Sequence, residues 1–185
     1  MAMPTATSTL LMTGGSSGIG RKAAVCLLRE HPDQHLLLLV RGGRADRIAA
    51  ELAAEAGSDH VSAVPCDLAS LTDIRGAAKE VIRRLDAEEI PPLHVILGNA
   101  GVQTVSATTT TVDGFEMTFG VNVLANYTLL RLLSPKLVPP ARIVIVGSGV
   151  HFADFRHNLG MVPKPNWSST DQLAMPSTAP RAGGF

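Results

Sequence analysis

Short blocks that are apolar nearly throughout alternate along the chain with longer stretches in which apolar residues return every three or four positions. The blocks are residues 9–13 (TLLMT), 35–40 (HLLLLV), 61–66 (VSAVPC), 93–98 (LHVILG) and 142–147 (RIVIVG). Strands covered on both faces have this pattern, as in a parallel sheet sandwiched between helices. The intervening period predicts a helix over 18–30 burying Ala23, Ala24, Leu27 and Leu28, and another over 44–56 with Ile48 and Leu52 on one face. A third helix, 70–86, starts at Ser70 as candidate cap, with Asp73 imitating a capping box through a shorter acid. A fourth, 111–133, is ended by Pro135. The order βαβαβαβαβ predicts right-handed crossovers and an α/β fold: a doubly wound parallel sheet of about five strands in the order 3-2-1-4-5.

The pattern changes after Val150. Residues 158–185 are rich in Pro, Gly, Ser and Thr and keep neither period. The expected division is a doubly wound α/β domain over 1–150 and an irregular tail or insertion loop over 151–185. No internal repeat is visible.

The bulk properties narrow the function classes. With 185 residues, 45% of them hydrophobic, the chain can bury one sizeable core. A formal net charge of +0 and only 4% aromatic residues argue against a nucleic-acid partner or an anionic membrane surface. No apolar run is long enough to span a bilayer. Cys26 and Cys66 lie in apolar surroundings without metal-ligand spacing, so both are expected to be buried small hydrophobes in a reducing, cytoplasmic protein.

The candidate chemistry begins at TGGSSGIG, residues 13–20, which follows the first strand and opens the first helix. That context marks a dinucleotide loop. Gly14 permits the tight turn, Gly18 lets backbone approach a pyrophosphate, and Gly20 allows helix to pack on strand. A P-loop would need Lys followed by Ser or Thr where Ile19 and Gly20 stand.

The spacing T-G-x-x-x-G-x-G resembles the short-chain dehydrogenase/reductase family, and the resemblance runs from residue 8 to about 150. It implies a Rossmann-like fold and an NAD(P)-dependent oxidoreductase acting on a small carbonyl or alcohol substrate. Later residues match in order. Asp67-Leu68 resembles the acid that holds the adenine amino group; a simple turn or cap is its alternative. Asn99-Ala100-Gly101 resembles the family's NNAG turn with Gly98 in place of the first Asn, and Asn99 has a purely structural alternative. Asn122 resembles the helix asparagine that organises a proton-relay water, or bridges backbone, although Ala125 stands where the family usually has Gly. Ser148 resembles the serine that steadies substrate and catalytic tyrosine. With the loop residues Ser16, Ser17 and Ile19, these form the expected site. No metal is expected.

NAD-specific sheets carry an acid at the end of the second strand. Here Val40 occupies that position and Arg41 follows, which removes repulsion of a 2′-phosphate and supplies a fork that matches it. Ser16 offers a further donor, and Arg44 is expected to be solvated. The cofactor expected is therefore NADP(H) rather than NAD(H).

The family's Tyr-x-x-x-Lys pair should follow Ser148. The sole tyrosine, Tyr127, precedes it, and Lys164 has no tyrosine at the needed spacing. Tyr127 and Arg131 imitate Tyr-x-x-x-Arg on one helical face, but arginine is a poor stand-in for the lysine and the resemblance implies a packing position for Tyr127. A hydrolase built from Ser148, His151, Asp154 and His157 is disfavoured, because GSG is not G-x-S-x-G. The phrase TVDGFEMTFGVNVLANYTLLRLL resembles the retinol-dehydrogenase-like and protochlorophyllide-reductase-like branch. Such relatives carry an insertion between Ser and Tyr, so the chain is expected to be truncated before the Tyr/Lys pair, without the last strands and helices of the full fold. The alternatives are a non-catalytic NADP-binding module and an unstable gene fragment. A homo-oligomer is allowed if a full-length chain exists.

Overall fold

A computed structural model describes residues 5–103, 109–149, 156 and 169–175. Its centre is β1 (Ser8–Thr13), flanked by β2 (Gln34–Val40) and β4 (Leu93–Gly98), with β3 (Val61–Pro65) outside β2 and β5 (Leu137–Ile145) outside β4. All neighbours run parallel, giving the expected five-stranded sheet in the order 3-2-1-4-5. Connections pass through α1 (Gly18–Glu30), α2 (Ala45–Ala56) and α3 (Leu71–Asp86).

The four strands β1 to β4 are largely apolar because they serve two cores. Leu10, Met12, Leu36, Leu38 and Val40 point to one face, against Ala24, Val25 and Leu28 of α1 and Ile48 and Leu52 of α2. Leu11, Leu37, Leu39 and Ile96 point to the other, against Ile74 and Val81 of α3 and Leu129 and Leu133 further on. Successive side chains of a strand alternate faces, so neither face tolerates a polar residue at these positions.

Two elements differ from expectation. The fourth helix begins at Met117, not 111. Gly114, at φ 85°, closes a turn back to Thr111, and the Glu116 carboxylate caps the amides of Thr118 and Phe119. Its course is also broken: α4 (Met117–Phe119) passes into a π turn (Gly120–Leu124) and then α5 (Ala125–Leu133). The last strand starts at Leu137, ahead of Pro139 and Pro140, which an edge strand can carry. Ile143, Val144 and Ile145 on that edge stay roughly half exposed.

Smaller corrections follow from helix phase. In α1 the buried set is Gly20, Ala24, Val25 and Leu28, with Ala23 and Leu27 only partly covered. Cys66 is buried as expected, but Cys26 is exposed. Among its described residues the Pro-rich stretch holds a short helix, α6 (Thr170–Ala174), capped by Ser169 and joined through the Ala174 carbonyl to the Glu116 amide at 2.8 Å. Ser70 caps α3 by accepting from the Asp73 amide; the Asp73 carboxylate takes the Ser70 hydroxyl rather than the backbone N–H of a full capping box. No helix among the described residues is long and apolar enough to cross a membrane.

At the N-terminal end of the sheet, His35 shares a 2.7 Å hydrogen bond with Ser62 Oγ. Burial, with His60 and Arg84 adding to it, lowers its pKa from 6.5 to about 4. The unfolded chain therefore takes up this proton at a higher pH than the folded one. Stability tied to neutral His35 is complete above 6.5 and falls as pH drops towards 4, by on the order of 2 kcal/mol. Urea midpoints should decline across that window, and His35→Gln should flatten the decline. Parallel profiles for the two proteins would contradict the assignment.

Candidate functional site

The C-terminal ends of the strands open onto a cleft of about 750 Å³. In a doubly wound sheet this is where the strand order reverses and ligands settle. Its floor is the loop that leaves β1. Gly14 turns at φ 71°, and Ser17 is extended at the head of α1, where Gly18 adopts φ 57°. No side chain caps α1 and its first turn holds no acid, so the partially positive N-terminal amides there have neither a capping acceptor nor a neighbouring carboxylate in that turn.

The glycines differ in what they allow. A Cβ on Gly20 would strike the Gly14 carbonyl oxygen, and one on Gly14 would lie 2.7 Å from Ala100 Cα. These two let loop, helix and the β4 tip close on one another. Gly18 has nothing within 4 Å of its missing side chain, and it is not itself among the residues that line the cleft. A cradle of this kind suits a bound pyrophosphate.

Two lateral walls flank the loop. On one, Val40 is buried and Arg41 and Arg44 extend into the same cleft, with Gly42 turning the chain between them at φ 74°. Neither arginine forms an ion pair among the described residues. Arg44 is exposed, as expected, yet it faces the site. On the other wall, Asp67 accepts the Ala69 amide at 2.9 Å, the turn-forming role foreseen as its alternative. Beside it the Cys66 thiol is pushed up to about 12 by burial and by Asp73 and Asp67, so it stays protonated and apolar. Leu68 and Val112 complete that wall, and Asp113 fixes it by accepting the Leu71 amide at 2.7 Å.

The back of the cleft is the β4 tip. Asn99 Nδ2 donates to the carbonyls of Thr13 and Gly14 at 3.2 and 3.1 Å, and Thr13 Oγ1 accepts the amides of Asn99 and Ala100 at 3.1 and 3.0 Å. Asn122 grips both backbone groups of Val102, accepting its N–H at 2.8 Å and donating to its carbonyl at 2.9 Å.

Gly14, Ser16, Ser17, Ile19, Gly20, Arg41, Asp67, Leu68, Asn99, Ala100 and Gly101 all line this one cleft. Asn122 reaches it through Val102. Ser148 is exposed and lies just beyond Val146, which lines the rim. Tyr127 is 60% exposed on α5 and does not line the cleft. His151, Asp154, His157 and Lys164 lie outside the described residues. The sequence reading gave no role to Thr13, although it is the first letter of the glycine motif, nor to Val102, Val112 or Asn126. The Gly98 departure was the available signal for Asn126.

A family profile described as short chain dehydrogenase matches residues 8–159. Human retinol dehydrogenase 13 is 36% identical over 148 residues, covering 78% of this chain and 42% of that protein. Mouse polyprenol dehydrogenase is 34% identical over 155 residues, covering 77% of this chain and 42% of that protein. A solved short-chain dehydrogenase from Sphingobium yanoikuyae in complex with NADPH superposes with a TM-score of 0.61 at 31% identity, covering 83% of this chain and 59% of that one. The matched part of the chain thus covers 42% of the length of each curated relative named here.

Proposed function

Because the chain belongs to the short-chain dehydrogenase family, we propose that it forms the NADP(H)-binding part of an oxidoreductase that acts on a carbonyl or alcohol. The observation that carries this reading is the cradle at the head of α1. Close-packed Gly14 and Gly20, open space at Gly18 and acid-free amides fit a pyrophosphate. Bound NADP(H) supplies two-electron redox chemistry that no side chain here has. The chain's own part is to bind and orient. The α1 amides and Ser16 hold phosphate; Arg41, with Arg44 beside it, takes the 2′-phosphate; Asp67 and Leu68 receive the adenine. Asn122 and Asn99 fix the loops of the back wall, and Ser148 offers a hydroxyl at the rim to hold a substrate oxygen.

The choice of NADP(H) over NAD(H) rests on Val40 and Arg41, and it is supported by the NADPH complex of the similar Sphingobium enzyme. Fluorescence titration tests it. NADPH should bind about tenfold or more tightly than NADH, and Arg41→Ala should remove about that factor for NADPH while leaving NADH within about twofold. Equal affinities in the parent would overturn the preference.

One observation favours a second reading, a module that holds NADP(H) without turnover: no tyrosine or lysine is among the described residues that line the cleft. Turnover with NADPH separates the two, using a panel of small ketones and aldehydes together with retinal and a polyprenal, after the names of the similar dehydrogenases. Binding without oxidation of NADPH would select the module.

A further inference from the structure

The β4 tip and the π turn meet at a pair of residues outside the cleft. Gly98 ends β4, and a Cβ built there would collide with the Asn126 carboxamide oxygen and lie 2.7 Å from Ile145 Cδ1. The Asn126 side chain therefore fills the room that residue 98 leaves empty. Its other end is equally placed: Nδ2 donates to the main-chain carbonyl of Asn122 at 2.8 Å.

Asn122 sits inside the π turn, where the Ala125 amide bonds to the Gly120 carbonyl five residues back. A π turn widens the helix and loosens the regular ladder of its carbonyls. A side-chain donor from the next turn, anchored against β4, restores a fixed position to one of them. The same residue holds the N–H and carbonyl of Val102, and Gly101 and Val102 line the cleft. The contacts run without a gap from Gly98 through Asn126 and Asn122 to the cleft wall.

We infer that Asn126 is a positioning residue of the cleft: it locks Asn122, and through it the Val102 loop, and it can do so only because residue 98 is glycine. The contact between residues 98 and 126 stands on geometry alone; its consequence for cofactor affinity rests on the NADP(H) reading. A larger residue at 98 would expel the carboxamide and release the clamp, whereas in a chain without the carboxamide the same residue meets only the end of the flexible Ile145 side chain, which must shift to admit it.

Hydrogen exchange at the Val102 amide, whose acceptor is Asn122 Oδ1, reads the clamp without any ligand. On the full chain, Asn126→Ala should speed that exchange about tenfold while the Leu11 amide in β1 is unchanged. Gly98→Ala should do the same in the parent and add less than about twofold in the Asn126→Ala background, the signature of coupled neighbours. NADPH affinity should fall about fivefold in either single variant and no further in the double variant. Unchanged Val102 exchange in Asn126→Ala, or additive effects of the two substitutions, would overturn the inference. Absence of NADPH binding in the parent would instead overturn the cofactor reading, with Val102 exchange still deciding the clamp.

Discussion

Gly20→Ala is expected to abolish NADPH binding and to lower the stability of the chain by more than about 3 kcal/mol, as overpacking against backbone does where no flexible side chain can move aside. The added methyl would meet the Gly14 carbonyl oxygen, and Asn99 Nδ2 stands against the same position. Relief would require α1 to move off the sheet, and Ala24, Val25 and Leu28 would leave the core with it. Gly18→Ala is the control. Its Cβ enters open space, so its cost is the left-handed backbone alone, about 1 kcal/mol. On the proposed reading, in which backbone at Gly18 approaches the pyrophosphate, that methyl should weaken NADPH binding out of proportion to its small effect on the fold. Thermal unfolding and NADPH titration of both variants check the pair. A Gly20→Ala protein that melts like Gly18→Ala would mean that α1 and the β4 tip are not packed as described.

The contrast between these glycines also shows how much the sequence made legible. The motif spacing located the loop and implied a role for each glycine, because a turn, a phosphate and a helix–strand contact impose distinct steric demands. The inner strands were legible for a similar reason: two covered faces leave few polar positions to obscure them. Boundaries set by single side chains were not. The capping carboxylate of Glu116 and the turn at Gly114 moved the fourth helix start by six residues, from 111 to Met117, inside a stretch whose apolar spacing continues across the break. Cys26 misled through its neighbours in sequence. AAVCLL is apolar, yet on α1 the residues sharing its face are Lys22 and Arg29, and all of these are exposed. The π turn left no periodic trace, and Asn126 becomes meaningful only once Gly98 is seen beside it. Most of the residues carried by local motifs line one cleft, with Gly18, Asn122 and Ser148 outside its lining; the residues joining them, Thr13 and Asn126, act across elements distant in sequence.

Thr13 yields the second large effect, and its sign opposes the usual ranking of side chains in a core. Thr13 is 1% exposed at the end of β1, among apolar neighbours, where Val is the isosteric replacement. By apolar burial alone, Thr13→Val should be neutral or favourable, and Thr13→Ser should cost about 0.8 kcal/mol for a lost methyl. The hydroxyl oxygen, however, accepts the amides of both Asn99 and Ala100 at the point where β4 turns into the cleft wall. Val removes that acceptor and leaves two backbone donors beside the sheet, each worth about 1–3 kcal/mol when unsatisfied. Ser keeps the oxygen. Thr13→Val should therefore destabilise by about 2–5 kcal/mol in urea unfolding and exceed Thr13→Ser by a clear margin. NADPH affinity should follow the same order, because Asn99 and Ala100 line the cleft and Asn99 Nδ2 anchors to the Thr13 and Gly14 carbonyls. If Val proves as stable as Ser, water supplies the lost acceptor and the β4 tip is more open than a hydroxyl-latched joint would be.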